Sequence, residues 1–346
     1  MQRGEVETRV KYFVENYNPI FCYTHNWGET QYIDDIDEGK VCRFCGKRYP
    51  EVTFNKKAHA LSELIGNKEF VSRTECDTCN EHFGRYLEDS LSKYLGCGRT
   101  VSQIMTKRGI PSYKSSDGKS RIDFTEQGLV IQQTINSKFA ELQDHLLMIH
   151  AVRQAYSPLS VYKAFVKMAL SMLPYEEMVH FMDTVAWLKE ESNIISKYDM
   201  TNYEWIIERF VPGPHPLPLE AWGFLRKDIT RLVPYYIFVI SFGNLIEQIA
   251  VPCRVKDIFE AGTEIPLIPM PHFYDFNTAF SKSISLDVKI MSYPGKIKDD
   301  PIKIAMHYDD AEFHQGNGQT IDDVLKAEKI NLKSRLDGYY KKDSQR

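Results

Sequence analysis

The sequence predicts an α+β protein in two unequal parts, a small zinc-braced module near the N-terminus and a larger mixed α/β domain behind it. Three observations carry this reading. Two Cys-x-x-Cys pairs, Cys42/Cys45 and Cys76/Cys79, have the spacing of one structural four-thiolate zinc site that pins the ends of a short segment together. Apolar residues recur at helical spacing over residues 159–173, with Val161, Phe165, Met168, Ala169 and Met172 as the stripe. Two apolar runs, 235–242 and 245–251, flank Gly243-Asn244 and read as a long β-hairpin. A chain of 346 residues also exceeds the usual length of one domain.

Residues 1–41 read as an N-terminal extension. Residues 1–17 place Val6, Val10, Phe13 and Val14 near helical spacing. Glu29, Asp34, Asp35, Asp37 and Glu38 then form an acidic patch, expected to be a solvated loop. The first residues lack an apolar signal segment, and the longest apolar run, 232–240, is too short to span a bilayer and contains Pro234. The expectation is a soluble, cytoplasmic protein with no membrane partner. Seven cysteines, four of them in the two pairs, fit a reducing compartment, with Cys22, Cys97 and Cys253 as buried thiols. A net charge of −4 excludes a basic protein that coats nucleic acid, so any contact with phosphates must come from local charge.

Residues 42–100 hold the chemistry. Lys40, Arg43, Lys47, Arg48, Lys56 and Lys57 face the single acid Glu51, and Lys47, Arg48, Lys56 and Lys57 are the candidates for phosphate-backbone contacts. His59 is the only histidine between the cysteine pairs and follows a strand-like segment, 51–54. From Asn80 the pattern is helical to Leu95, with Phe83, Tyr86, Leu87, Leu91 and Tyr94 three and four apart. Such a helix start favours anions. Hydrolysing a phosphodiester needs an activated water and positive charge beside the developing oxyanion. A neutral imidazole can supply the base and a divalent cation the charge.

The order Cys42-Arg43-Phe44-Cys45-Gly46, Pro50-Glu51-Val52-Thr53-Phe54, Ala58-His59-Ala60, Gly66-Asn67, Glu75-Cys76-Asp77-Thr78-Cys79-Asn80 and Phe83-Gly84 resembles the HNH endonucleases, in the form whose ββα-metal core is braced by a four-cysteine zinc. The resemblance completes the fold class: α+β, with an N-terminal zinc-braced ββα-metal HNH module followed by a larger mixed α/β domain. It implies that His59 is the general base, that Asn80 holds a catalytic Mg2+ or Mn2+, and that Asn67 fixes the loop carrying the histidine. Many family members have an acidic metal ligand directly before the histidine, where this chain has Ala58. The second ligand must then come from elsewhere, with His82 ranked first, ahead of Glu51, Glu75 and Asp77. DNA is the substrate the resemblance implies, with RNA left open. Two-fold assembly into a homodimer would let one site per chain cut both strands. HNH modules joined to a large second domain also suggest restriction or anti-phage defence. The competing reading is a non-catalytic zinc-knuckle protein that binds nucleic acid or acts as a scaffold, with Ala58 marking a decayed site.

Residues 101–346 carry no legible role. The stretch 109–121 is polar and turn-rich, 122–124 and 129–133 read as a hairpin around Glu126-Gln127-Gly128, and 145–150 is open between strand and helix. Ser157 is the expected N-cap of the 159–173 helix, with Pro158 at its first position. Lys163 and Lys167 share one face of it, solvated or touching phosphates. A second helix starts at Pro174, with Glu176 and Glu177 in its first turn and Met178, Phe181, Met182, Val185 and Leu188 turned inward. Pro212, Pro214, Pro216 and Pro218 form a stiff connector between a helical part, 101–211, and a β-rich part, 219–346. In the latter, 280–291 and 303–307 read as strands and 320–333 as an amphipathic helix.

Overall fold

The helix Pro158–Met172 is the centre of the molecule in the computed structural model, which describes residues 3–24, 30–33, 40–106, 108–126, 128–191, 198, 200–212, 217–258, 265–276, 284–315 and 327–333. Its start follows from local chemistry: the Ser157 hydroxyl accepts from the Ser160 N–H at 3.3 Å, and Pro158 needs no partner in the first turn. The expected apolar stripe understates its environment, because every residue from Pro158 to Met172 is buried. A helix buried all round must be covered on two sides. On one side, Tyr162 donates to the Ala250 carbonyl at 2.6 Å, and Tyr236 donates to the Ala169 carbonyl at 3.0 Å. On the other side lies the cysteine module, whose Phe44, Leu61, Ile65, Leu87 and Leu91 share a core with Phe165 and Met168. Each such side chain stabilises the fold by about 1.5–3 kcal/mol on burial.

The sheet behind this helix has six antiparallel strands in the order Tyr17–Thr24, Leu217–Arg226, Tyr236–Gly243, Leu245–Val251, Trp205–Phe210 and Ser285–Ile290. The expected hairpin is its middle, and Gly243 takes the positive φ of 55° that its turn requires. One edge strand comes from the N-terminal segment, following the helix Arg3–Asn16, and Phe21 lies opposite Gly223, where a Cβ would meet its ring. The segment before residue 42 is thus an edge of the sheet, and the core runs across positions 41 and 100. Cys22 faces solvent on that edge strand rather than the core, which corrects the expectation of a buried thiol. Cys97 and Cys253 are buried as expected, and burial pushes both thiols up to about 12.

A second β unit has its own core of Ile122, Ile131, Leu147 and Ile149. It joins a five-stranded sheet, ordered Asp310–Gln315, Ala327–Lys333, Gly128–Thr134, Arg121–Thr125 and Tyr113–Lys114, to a three-stranded one, ordered Pro301–His307, Leu146–Val152 and Ala140–Gln143. The hairpin at 122–133 forms as expected, and of 145–150 all but His145, which sits in the preceding turn, lies in the strand Leu146–Val152. The helix expected over 320–333 does not form in its described part. Residues 327–333 are a strand, with Ile330 in register with Ile131, since Ile330 and Leu332 alternate with polar neighbours at the strand period. Residues 316–326, the acidic residues Glu29, Asp34, Asp35, Asp37 and Glu38, and Pro214 and Pro216 lie outside the described residues. The segment after Pro174 is a 3-10 turn, Tyr175–Phe181, followed by the helix Met182–Leu188. Its phase breaks at Met182, which is 53% exposed rather than inward. Among the described residues no helix is long and apolar enough to cross a membrane.

Candidate active site

The four cysteines converge as their spacing implies. Their sulfurs all lie within 4.8 Å of one another, and Cys45 Sγ is 3.8 Å from Cys76 Sγ. Tetrahedral zinc with bonds of about 2.3 Å separates its sulfurs by roughly 3.8 Å, so the donor set and its size fit zinc. The first pair sits on a tight turn in which Gly46 donates to the Cys42 carbonyl at 2.7 Å with a φ of 71°, a conformation that glycine adopts without strain. Cys76 and Cys79 lie at the start of the helix Asp77–Phe83. A hydrogen bond from Cys79, with backbone N–H groups adding to it, holds the Cys42 thiol well below its ordinary range, whereas burial pushes Cys76 up.

His59 lies on a short strand, Ala58–His59, antiparallel to Phe70–Ser72, and the cysteine helix follows, so the unit is a ββα motif. The strand expected at 51–54 is instead a turn and extended chain, because Asp77 ties it to the helix start. Asp77 accepts from the Thr53 hydroxyl at 2.5 Å, the Asn55 N–H at 3.1 Å and the Lys56 N–H at 2.8 Å. The imidazole of His59 is nearly enclosed, its Nε2 3.0 Å from Glu63 Oε1 and its Nδ1 3.5 Å from Asn67 Nδ2. Asn67 is fully buried. It donates to the Leu61 and Phe70 carbonyls at 2.6 and 3.0 Å and accepts from the Glu69 and Phe70 N–H groups at 3.0 and 2.9 Å. Both of its amide hydrogens therefore serve the loop after His59. A proton on Nε2 would face the Glu63 carboxylate and would leave Nδ1 as the basic nitrogen.

Asn80 borders a narrow cleft together with Ser62, Gly84, Glu88, Lys167 and Met168. Lys167 comes from the central helix, donates to the His59 carbonyl at 2.9 Å and pairs with Glu75 at 2.8 Å. It is buried rather than solvated. Lys163 is buried too: burial lowers it to about 8, and it donates to the Trp187 and Glu190 carbonyls, both at 2.8 Å. The ring of His82 packs against Tyr86 and Phe83, and burial lowers its pKa despite a hydrogen bond with the Lys189 backbone. Residues two apart on a helix point to different sides, so His82 and Asn80 do not converge on one ion. Glu75 is fully buried on Lys167, Asp77 is taken by the 53–56 loop, and Glu51 is exposed. Among the described residues no second group of three or more His, Cys, Asp or Glu side chains gathers at metal-binding distance.

Glu63 and Glu88 near this site went unread in the sequence, and the place of Lys167 in it was not foreseen. Glu63 lies four after His59, and Asn80, Gly84 and Glu88 keep a spacing of four along one helical run, so both were open to pattern reading. Lys167 was not, since its bond spans 108 residues. Of the basic residues, Lys47, Arg48, Lys56 and Lys57 are exposed, with Lys56 paired to Glu81 and Lys57 donating to the Lys68 carbonyl at 3.1 Å. Arg43 is buried at the end of the central helix, where it donates to the Leu170 and Leu173 carbonyls at 3.1 and 3.0 Å.

A four-cysteine site bracing a ββα unit, with one histidine on the strand and one asparagine on the helix, defines a zinc-braced ββα-metal module. Residues 42–95 match the family model described as HNH endonuclease, so this segment is an HNH module. No curated protein and no solved structure matches the chain.

Proposed function

We propose that the protein is a metal-dependent endonuclease that hydrolyses DNA phosphodiester bonds. The observation that carries this reading is the setting of His59 within the HNH module, with Glu63 at Nε2 and a loop fixed by Asn67. In this reading Glu63 keeps the proton on Nε2, and Nδ1 takes a proton from the attacking water. A divalent Mg2+ or Mn2+ at the asparagine would supply the Lewis acidity. Asn80 is its candidate protein ligand, with water and substrate phosphate oxygens completing the shell, as is common for Mg2+ sites poor in carboxylates. Lys47, Arg48 and Lys57 would hold backbone phosphates and set position without reading sequence. The setting suggested by the same resemblance is restriction or anti-phage defence, and a homodimer is the simplest way to cut both strands.

The test is cleavage of supercoiled plasmid, single-stranded DNA and RNA by the purified chain, with Mg2+ or Mn2+ added or withheld. The expected result is metal-dependent nicking or linearisation of plasmid. DNA binding without cleavage under every metal would instead support a non-catalytic zinc-knuckle protein, and the absence of both would leave a scaffold.

A further inference from the structure

The HNH helix runs on from Asn80 to Leu95, and a second concave feature lies at its far end. Ser92 is twelve residues beyond Asn80, or roughly 18 Å along a helix. There a cleft of about 310 Å³ opens between the helix end, the short helix Gly98–Val101 and the strand Tyr113–Lys114 of the second β unit. Ser92, Lys93, Arg99, Ser112, Lys114 and Gln154 line it. Gly96, at a φ of 51°, turns the chain sharply enough to fold Arg99 back on Ser92, to which its guanidinium donates at 2.9 Å.

The charge in this cleft is unbalanced. Asp89 is paired with Lys93 at 2.6 Å, and Asp123 behind Ser112 is gripped by Arg121 at 2.6 and 2.7 Å. Lys93, Arg99 and Lys114 are the charged side chains that line the cleft, and no carboxylate lines it. Among the described residues Arg99 meets no carboxylate, and its Nε is closed to solvent without a hydrogen-bond partner. Burial lowers its pKa, a cost that an anion alongside would offset. The volume lies at the lower end of small-ligand sites. A concave cleft with a half-buried guanidinium admits a phosphate or a short phosphate chain, but not the convex face of a duplex.

We propose that this cleft is a binding site for a phosphate-bearing small molecule, with Arg99 as its central donor and Lys93 and Lys114 at its rim. A ligand there would touch both the end of the HNH helix and the second β unit, and would tie the two together.

The test is isothermal titration with inorganic pyrophosphate and, separately, ATP, at low fixed salt with no Mg2+ or Mn2+ added. Wild type is compared with Arg99→Gln and with Lys114→Gln, which alters an exposed side chain and leaves the fold intact. A short DNA duplex is titrated in parallel. The expected result is saturable binding of at least one phosphate probe by wild type, about tenfold weaker in each variant, with duplex affinity unchanged. Failure of wild type to bind either probe at millimolar concentration would overturn the proposal. So would equal binding by Lys114→Gln, or a loss of duplex affinity in the variants, which would make the cleft part of a nucleic-acid track.

Discussion

Lys167 joins the two halves of the candidate site. Its ammonium group holds the His59 carbonyl and pairs with Glu75, a fully buried carboxylate whose pKa burial raises even against the pull of the lysine. Replacing one partner of such a pair leaves the other as an uncompensated buried charge. Lys167→Met is therefore expected to cost about 3 kcal/mol in urea unfolding. Adding Glu75→Gln should recover part of that stability without restoring the hold on His59. If the single variant unfolds like wild type, the ion pair is not what secures the strand. The residues of this site that were legible in sequence, namely the four cysteines, His59, Asn67 and Asn80, all fall within one short segment whose spacing encodes their geometry. Lys167 read as solvated or touching phosphates rather than buried, because a stripe of apolar residues identifies one covered face and says nothing of a second. His82, two residues from Asn80, falls on another side of the helix, which the spacing alone does not show.

The central helix shows what burial on both sides does to a lysine. Lys163 donates to two carbonyls and lies over the Trp187 ring at 4.7 Å, and Glu190 and Glu204 favour its charge, but the desolvation of the ammonium outweighs them. Its folded pKa of about 8 lies below the ordinary 10.5, so above pH 8 the native lysine releases its proton while the unfolded one keeps it. The unfolded state then binds more protons, and the Lys163 contribution to stability rises with pH from about 8 to 10.5. Below pH 8 its cost is fully present. Urea midpoints at pH 7.5 and 9.5 should show a more favourable change in wild type than in Lys163→Met. Identical changes in the two proteins would remove this reading. At the same scale, helices and hairpins with strong local signals were legible: the Ser157-Pro158 start, the Gly243-Asn244 turn and the hairpin around Gly128. Elements decided by partners were not, and the strand Ala327–Lys333 exists through its pairing with Asp310–Gln315 on one side and with Gly128–Thr134, far away in sequence, on the other.

For the whole molecule, the HNH module is built into the larger fold. Its Phe44, Leu61 and Leu87 lie in the same core as the central helix and the six-stranded sheet, Arg43 closes the end of that helix, and the N-terminal strand edges the sheet. A fragment of residues 42–100 supplied with zinc should accordingly lack a cooperative thermal transition in circular dichroism, while the full chain melts cooperatively. A sharply melting fragment would show that the zinc site suffices without the helix. The sequence marked a composition change near residue 100, but a composition change cannot report which apolar faces meet, and here they meet across it.

The central claim is that His59, held by Glu63, is the base of a hydrolytic HNH site. The most direct measurement is the single-turnover rate of plasmid cleavage with Mn2+ for wild type, His59→Ala and Glu63→Gln, each first checked for zinc content and fold. His59→Ala should lose about 10²–10⁴-fold in rate. Glu63→Gln should lose less and should shift the pH profile, because it changes the proton held on Nε2. Wild-type rates in His59→Ala would contradict the account and move the chemistry to another residue.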